Sequence, residues 1–166
     1  MSTPFKSTLL AMVLAATAPA VAAAHDYALG ALKIGHPWSR PTPNGAPTAA
    51  GFLTITNTGA QADRLLGGSS PLVAQVQVHQ MSMDGGIMRM RQLPDGLEVQ
   101  PGATVRLEPG GYHLMLIGPK VPFKVGDHIP ATLRFAKAGS IKVEFYVQAA
   151  PPAAEDHGAM GKMDMH

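Results

Sequence analysis

Ile141-Lys142-Val143-Glu144-Phe145-Tyr146-Val147 places an apolar side chain at every second position, the period of a strand with one face in a core and the other in water. Working outward, the same period returns in Ala131-Thr132-Leu133-Arg134-Phe135 and in Thr104-Val105-Arg106-Leu107, which is followed by the breaker Pro109-Gly110-Gly111. It recurs in Ala74-Gln75-Val76-Gln77-Val78 and in Phe52-Leu53-Thr54-Ile55-Thr56, which runs into the turn-forming Asn57-Thr58-Gly59. Gly and Pro separate these runs at short intervals, and beyond residue 24 no segment sustains a helical period capped at both ends. The pattern predicts an all-β sandwich or barrel with little helix. The segment 36–47, with prolines at 37, 41, 43 and 47, reads as a long surface connection, too rich in proline for an interior strand.

Both ends differ from this middle. Residues 1–24 carry Lys6, then an apolar run from Leu9 that ends in Val21-Ala22-Ala23-Ala24, which reads as a secretory signal cleaved after Ala24 to leave His25 at the new N-terminus. A membrane anchor fits less well, because the run is Ala-rich and no second apolar stretch approaches spanning length. The expectation is a periplasmic protein with no membrane span in its mature form. Residues 25–147 are expected to form one domain. Residues 148–166, from Gln148 through Pro151-Pro152 to Met165-His166, cannot bury enough apolar surface for a single conformation and read as a disordered tail. Without the leader the chain keeps twelve basic and eleven acidic residues, scattered along its length, so nothing predicts nucleic-acid binding.

The chain has no Cys and ten Met. It therefore forms no disulfide and offers no thiolate to a metal, which excludes a blue-copper centre. Its soft donors are concentrated instead in His79-Gln80-Met81-Ser82-Met83-Asp84-Gly85-Gly86-Ile87-Met88-Arg89-Met90 and in His113-Leu114-Met115. Thioether sulfur favours Cu(I) over hard cations, and imidazole binds copper in either oxidation state. These residues point to a copper handler.

Spacing shows how a site can form. Asp84-Gly85 between two alternating runs is a strong hairpin signal, and a turn there sets His79 opposite Met90 and Met81 opposite Met88. A turn at Gly85-Gly86 instead pairs His79 with Gln92 and Met81 with Met90, and the sequence leaves both registers open. On the strand after Gly110-Gly111, His113 and Met115 share one face while Leu114 and Leu116 take the core side. One pair from the hairpin and one from this strand could converge into a His₂Met₂ set. Taken singly, a strand methionine is core filling and a strand histidine is a hydrogen-bonded or solvent-facing side chain. The set gains weight because Gln75, Gln77 and His79 lie on the polar face of their strand. Met81, Met83 and Met88 are either further ligands or a hydrophobic rim, with the rim the better fit.

Secondary metal candidates lie at the ends. His157, Met160, Met163, Met165 and His166 form a donor cluster in the tail, and a free amino terminus at His25 can chelate Cu(II) together with its own imidazole. His36 and His128, beside Pro37 and Pro130, read as ordinary loop residues.

With these residues in view, the chain resembles the periplasmic copper chaperones of the PCu(A)C family from about Ile34 to Val147. The likeness rests on Ile34-Gly35-His36-Pro37-Trp38-Ser39-Arg40, on Gly51-Phe52-Leu53-Thr54-Ile55-Thr56-Asn57, on His79 and Met90 with ten residues between them, and on Pro109-Gly110-Gly111-Tyr112-His113-Leu114-Met115-Leu116. The interval from Met90 to His113 holds twenty-two residues, one more than the family's usual spacing. The resemblance implies a cupredoxin-like Greek-key β-sandwich and Cu(I) ligation by His79, Met90, His113 and Met115. It also implies a non-enzymatic role delivering copper to the dinuclear copper centre of cytochrome c oxidase, through that enzyme's copper-accepting subunit, and capture of Cu(II) by the His/Met-rich tail. Lacking a thiol, the chain would depend on a separate thiol-bearing copper chaperone to reduce the acceptor's cysteines. Copper storage or resistance is the alternative. A mono-oxygenase using His25 and a carbohydrate-binding sandwich fit less well, the first because methionines stabilise Cu(I), the second because one Trp and three Tyr make no aromatic platform.

Overall fold

The computed structural model describes residues 26–149. They form eleven strands and, among the described residues, no helix: β1 Tyr27–Leu29, β2 Leu32–Ser39, β3 Thr48–Asn57, β4 Asp63–Ser69, β5 Gln75–Asp84, β6 Ile87–Gln92, β7 Leu97–Val99, β8 Thr104–Leu107, β9 Tyr112–Ile117, β10 His128–Phe135 and β11 Gly139–Val147. Each alternating run identified in the sequence lies almost wholly within one strand. The all-β sandwich expectation holds. None of these elements is a helix able to cross a membrane. The secretory leader and new N-terminus expected for residues 1–25, and the tail from residue 150, lie outside the described residues.

Hydrogen bonding links β5, β9, β3, β2, β11, β10 and β4 in sequence, and β4 returns to β5 through the single pair Gly68↔Val76. Gly68 is also crowded on its other side by β10, where a Cβ would overlap the carbonyl oxygen of Thr132. Most neighbours are antiparallel, whereas β2 with β11 and β8 with β9 run parallel. The core fills with the inward residues of the alternating runs. Ile34, Ile55, Leu65, Leu114, Leu116, Ile129, Leu133, Phe145 and Val147 are wholly buried.

The segment 36–47 departs from the sequence reading. His36-Pro37-Trp38-Ser39 is not a surface connection but the second half of β2, and Trp38 and Ser39 are buried. A bulge between Gly35 and Trp38 reconciles the proline with the sheet. His36 takes a left-handed backbone with φ 46°, so Pro37 falls where no ladder hydrogen bond needs its missing N–H. His36 and His128 are accordingly strand residues rather than loop residues.

Two buried polar groups tie loops to the core. Asn57 donates to the carbonyls of Gln61 and Val99 and accepts from the Gly59 amide. Asp63 accepts from the backbone amides of Arg64, Lys137 and Ala138 at 2.7, 2.9 and 2.8 Å. Burial raises the Asp63 pKa, but the three amides and the Lys137 charge together outweigh it and hold the carboxyl below its usual value. The stabilisation is present above the ordinary carboxylate range and is lost as acid protonates the folded state. We expect Asp63→Asn to destabilise the chain by about 1–3 kcal/mol, the cost of weakening a buried charged acceptor, measured by urea unfolding at neutral pH, with a smaller difference below pH ~3.

Candidate metal centre

β9 is the strand on which the site is built. It pairs with β3 on one side, through Thr48↔Ile117 to Gly51↔Leu114, and with β5 on the other, through Gln75↔Ile117 to Gln80↔Tyr112. Leu114 and Leu116 are fully buried, so His113 and Met115 point to the opposite face as the two-residue period predicts. A one-residue slip would expose both leucines at a cost of about 3–6 kcal/mol. That burial fixes which face His113 and Met115 occupy.

The β5–β9 register sets His79 directly opposite His113 and Gln77 opposite Met115. The two imidazoles stand with ring centroids 5.8 Å apart and planes tilted by 39°. His113 is 5 % exposed, and its Nδ1 donates to the Gly111 carbonyl at 3.3 Å. A carbonyl only accepts, so this bond leaves the lone pair on Nε2. On His79 the pattern is reversed. Its Nε2 lies 3.0 Å from the Gln77 Oε1, while its Nδ1 is buried with no hydrogen-bond partner. Burial and, secondarily, the nearby His113 lower the His79 pKa below the ordinary value of 6.5, which favours the neutral imidazole that binds metals.

The hairpin turn differs from the leading expectation. It is formed by Gly85-Gly86, not Asp84-Gly85, so His79 faces Gln92, Met81 faces Met90 and Met83 faces Met88. Both glycines have positive φ, 57° and 80°, as a type I′ turn requires at its two central positions. Placing Asp84 at the first of these would force a side chain into the left-handed region, at a cost of up to ~1–2 kcal/mol. Nothing opposes the shift, because every residue of β6 is exposed and no buried side chain pins it. The change in partner is two residues, which preserves the face. Met90 therefore stays on the His79 side, diagonally placed rather than directly opposed, at a separation of about 7–8 Å by backbone.

An open hollow of about 500 Å³ lies on this face. Met81, Met88, Met90, His113 and Met115 line it together with Phe52 and the connection Arg40-Pro41-Thr42-Pro43. Phe52 packs on Trp38 at 4.6 Å between ring centroids, and the Arg40 guanidinium sits over the same ring at 5.9 Å. The bulged β2 and the proline-rich segment thus support one wall. Three of the four candidate ligands, Met90, His113 and Met115, open into this hollow, and His79 adjoins it through His113. The side chains of Met90 and Met88 are accessible, with the residues 49 % and 52 % exposed, and Met83 is further out at 66 %. Met81 is half-buried and lines the hollow beside Met90, a placement the alternative register would have disclosed.

Among the described residues no three of His, Cys, Asp and Glu cluster as a metal site. The donors gathered here are two imidazoles and several thioethers, a set suited to a soft ion. The Nδ1 of His79 is buried without a hydrogen-bond partner, whereas buried polar atoms ordinarily have one. His25, His157, Met160, Met163, Met165 and His166 lie outside the described residues. Because the folded state resists protonation of His79, stability should be greatest above pH ~6.5 and fall as the pH drops below that value, where the unfolded chain gains its proton first. Urea unfolding of the metal-free chain between pH 7.5 and 5 measures this slope, and His79→Leu should flatten it.

Comparison with known proteins agrees with the architecture. The family described as "Putative lipoprotein LpqE-like" matches residues 32–147. The "Putative lipoprotein Lxx21020" of Leifsonia xyli is 31% identical over 113 residues, covering 68% of this chain and 68% of that protein. Among solved structures, a copper-bound PCuAC domain from PmoF2 aligns with a TM-score of 0.65 and 31% identity, covering 75% of this chain and 98% of the other. The Cu(I) form of DR1885 from Deinococcus radiodurans aligns with a TM-score of 0.58 and 26% identity over 76% and 83% of the two chains. Sequence match and strand arrangement thus lead to one assignment: the chain belongs to the LpqE-like family, with the fold of PCuAC domains.

Proposed function

We propose that this protein is an exported copper chaperone that holds Cu(I) between His79, Met90, His113 and Met115. The observation that carries the reading is the opposed His79–His113 pair, in which each ring has one nitrogen hydrogen-bonded and the other free, next to the methionine-lined hollow. A likeness to a copper-bound domain at 31% identity supports it. The donor chemistry favours the reduced ion.

The exposure gradient suits transfer rather than storage. Half-exposed Met90 is the donor that an incoming thiolate reaches first, Met115 is less accessible, and His113 is nearly enclosed. Thioethers are weak ligands held on rigid strands, so their successive displacement needs little rearrangement of the protein. We assign delivery to the dinuclear copper centre of cytochrome c oxidase, through its copper-accepting subunit, in the periplasm. Because the chain has no cysteine, a separate thiol-bearing chaperone must keep the acceptor reduced. The tail donors His157, Met160, Met163, Met165 and His166, with His25, would gather Cu(II) as a secondary capacity. The protein binds and passes on its cargo without turning over a substrate.

An anaerobic Cu(I) competition titration tests the site. His113→Ala and Met115→Ala should each weaken binding by more than the ~10–100-fold typical of losing a supporting residue, while truncation after Val147 should leave Cu(I) affinity intact and lower Cu(II) uptake. Equal Cu(I) affinity in the wild type and both ligand variants ends the assignment. Mixing the Cu(I) form with the apo copper domain of the oxidase separates delivery from sequestration: metal retained despite a favourable affinity difference indicates storage.

A further inference from the structure

We propose that Gln77 is a positioning residue that fixes the His79 tautomer, so that the metal is met by Nδ1 of His79 and by Nε2 of His113. This rests on the copper reading above. Two residues before His79 on the same face of β5, Gln77 presents its Oε1 to the His79 Nε2 at 3.0 Å. Its own Nε2 donates to the Gln75 Oε1 at 2.9 Å. Gln75, Gln77 and His79 thus form a relay along one strand face, with its last member beside the hollow.

The direction of this relay has a chemical consequence. With Oε1 towards the ring, Gln77 accepts the His79 Nε2–H, and the lone pair remains on Nδ1. In the reverse orientation the amide would donate to Nε2 and the ring proton would lie on Nδ1. That nitrogen is buried and has no acceptor, and an orphaned buried N–H is rare in folded proteins. The bare lone pair is therefore the better occupant of the position, and it is also the form that can ligate. His113 reaches the complementary state through a different partner, the Gly111 carbonyl, which can accept only from Nδ1–H. Two neighbouring histidines are thereby set in opposite tautomers, one by a side chain and one by the backbone. Gln77 also stands opposite Met115 in the register, between a candidate nitrogen donor and a candidate sulfur donor. Such supporting partners fix ring orientation and ligand basicity at metal sites.

The test uses the full chain labelled with 15N-histidine. Long-range 1H–15N correlation on the metal-free protein should show His79 protonated at Nε2 and His113 at Nδ1. Adding Cu(I), which is diamagnetic, should shift His79 Nδ1 and His113 Nε2. In Gln77→Leu, which keeps the bulk and removes the acceptor, the His79 tautomer preference should be lost and Cu(I) affinity should fall about 10–100-fold. Gln77→Glu retains an acceptor and should restore both. Protonation of His79 at Nδ1 in the wild-type apo chain overturns the proposal, as does Gln77→Leu with an unchanged tautomer and affinity. The apo measurement needs no variant, so a substitution that fails to fold leaves it decisive. If the wild type takes up no Cu(I), the copper reading fails and the tautomer readout still decides what Gln77 does.

Discussion

The pairing of β5 with β9 is the constraint on which the site depends. Set in register by buried valines on one strand and buried leucines on the other, it places two imidazoles opposite one another, tilted, on the other side of the sheet. The polar face has no comparable energy of its own. It inherits its geometry from Val76, Val78, Leu114 and Leu116, each worth about 1.5–3 kcal/mol when buried. A set of candidate donors can be preorganised in this way while contributing little to folding. Under the proposed function, copper affinity answers to the polar face, while most of the fold stability answers to the apolar face of the same two strands.

A second layer of control comes from groups that touch no ligand. Beyond the bulge in β2, Trp38 stands opposite Phe52 on β3 with its ring packed against it, and Phe52 in turn lines the hollow. Arg40 covers the same ring from the proline-rich connection. Asn57 and Asp63 hold loops of the same scaffold through buried hydrogen bonds. The open site therefore rests on a densely tied frame, and its accessibility does not require a mobile domain.

The alternating runs were legible because burial imposes a two-residue period that the sequence carries directly. Phe52–Thr56, Thr104–Leu107 and Ile141–Val147 needed no tertiary information. The shared face of His113 and Met115 was legible for the same reason. The hairpin register was not, because β6 buries nothing and two glycine-containing turns competed within three residues. Local backbone cost decided between them. The strand through Pro37 was hidden because the bulge that admits a proline leaves no mark in the hydrophobic pattern. The cross-strand meeting of His79 with His113 depends on which strands become neighbours, a long-range property that short spacing cannot encode, and the resemblance to a known family supplied the grouping in its place.

The hairpin's methionines recur at alternate positions, Met81 and Met83 on one strand and Met88 and Met90 on the other, with Arg89 and Arg91 facing away. This makes the arm tolerant of one kind of length change and intolerant of another. Insertion of two residues directly after Gly86, with the turn held, would bring Met88 to the place of Met90 and keep a thioether beside the imidazoles, whereas loss of two would bring Gln92 there. A single-residue change would rotate guanidinium groups into that place, where cationic repulsion would oppose the copper binding proposed above. Drift in the loop is thus constrained by parity as well as by length.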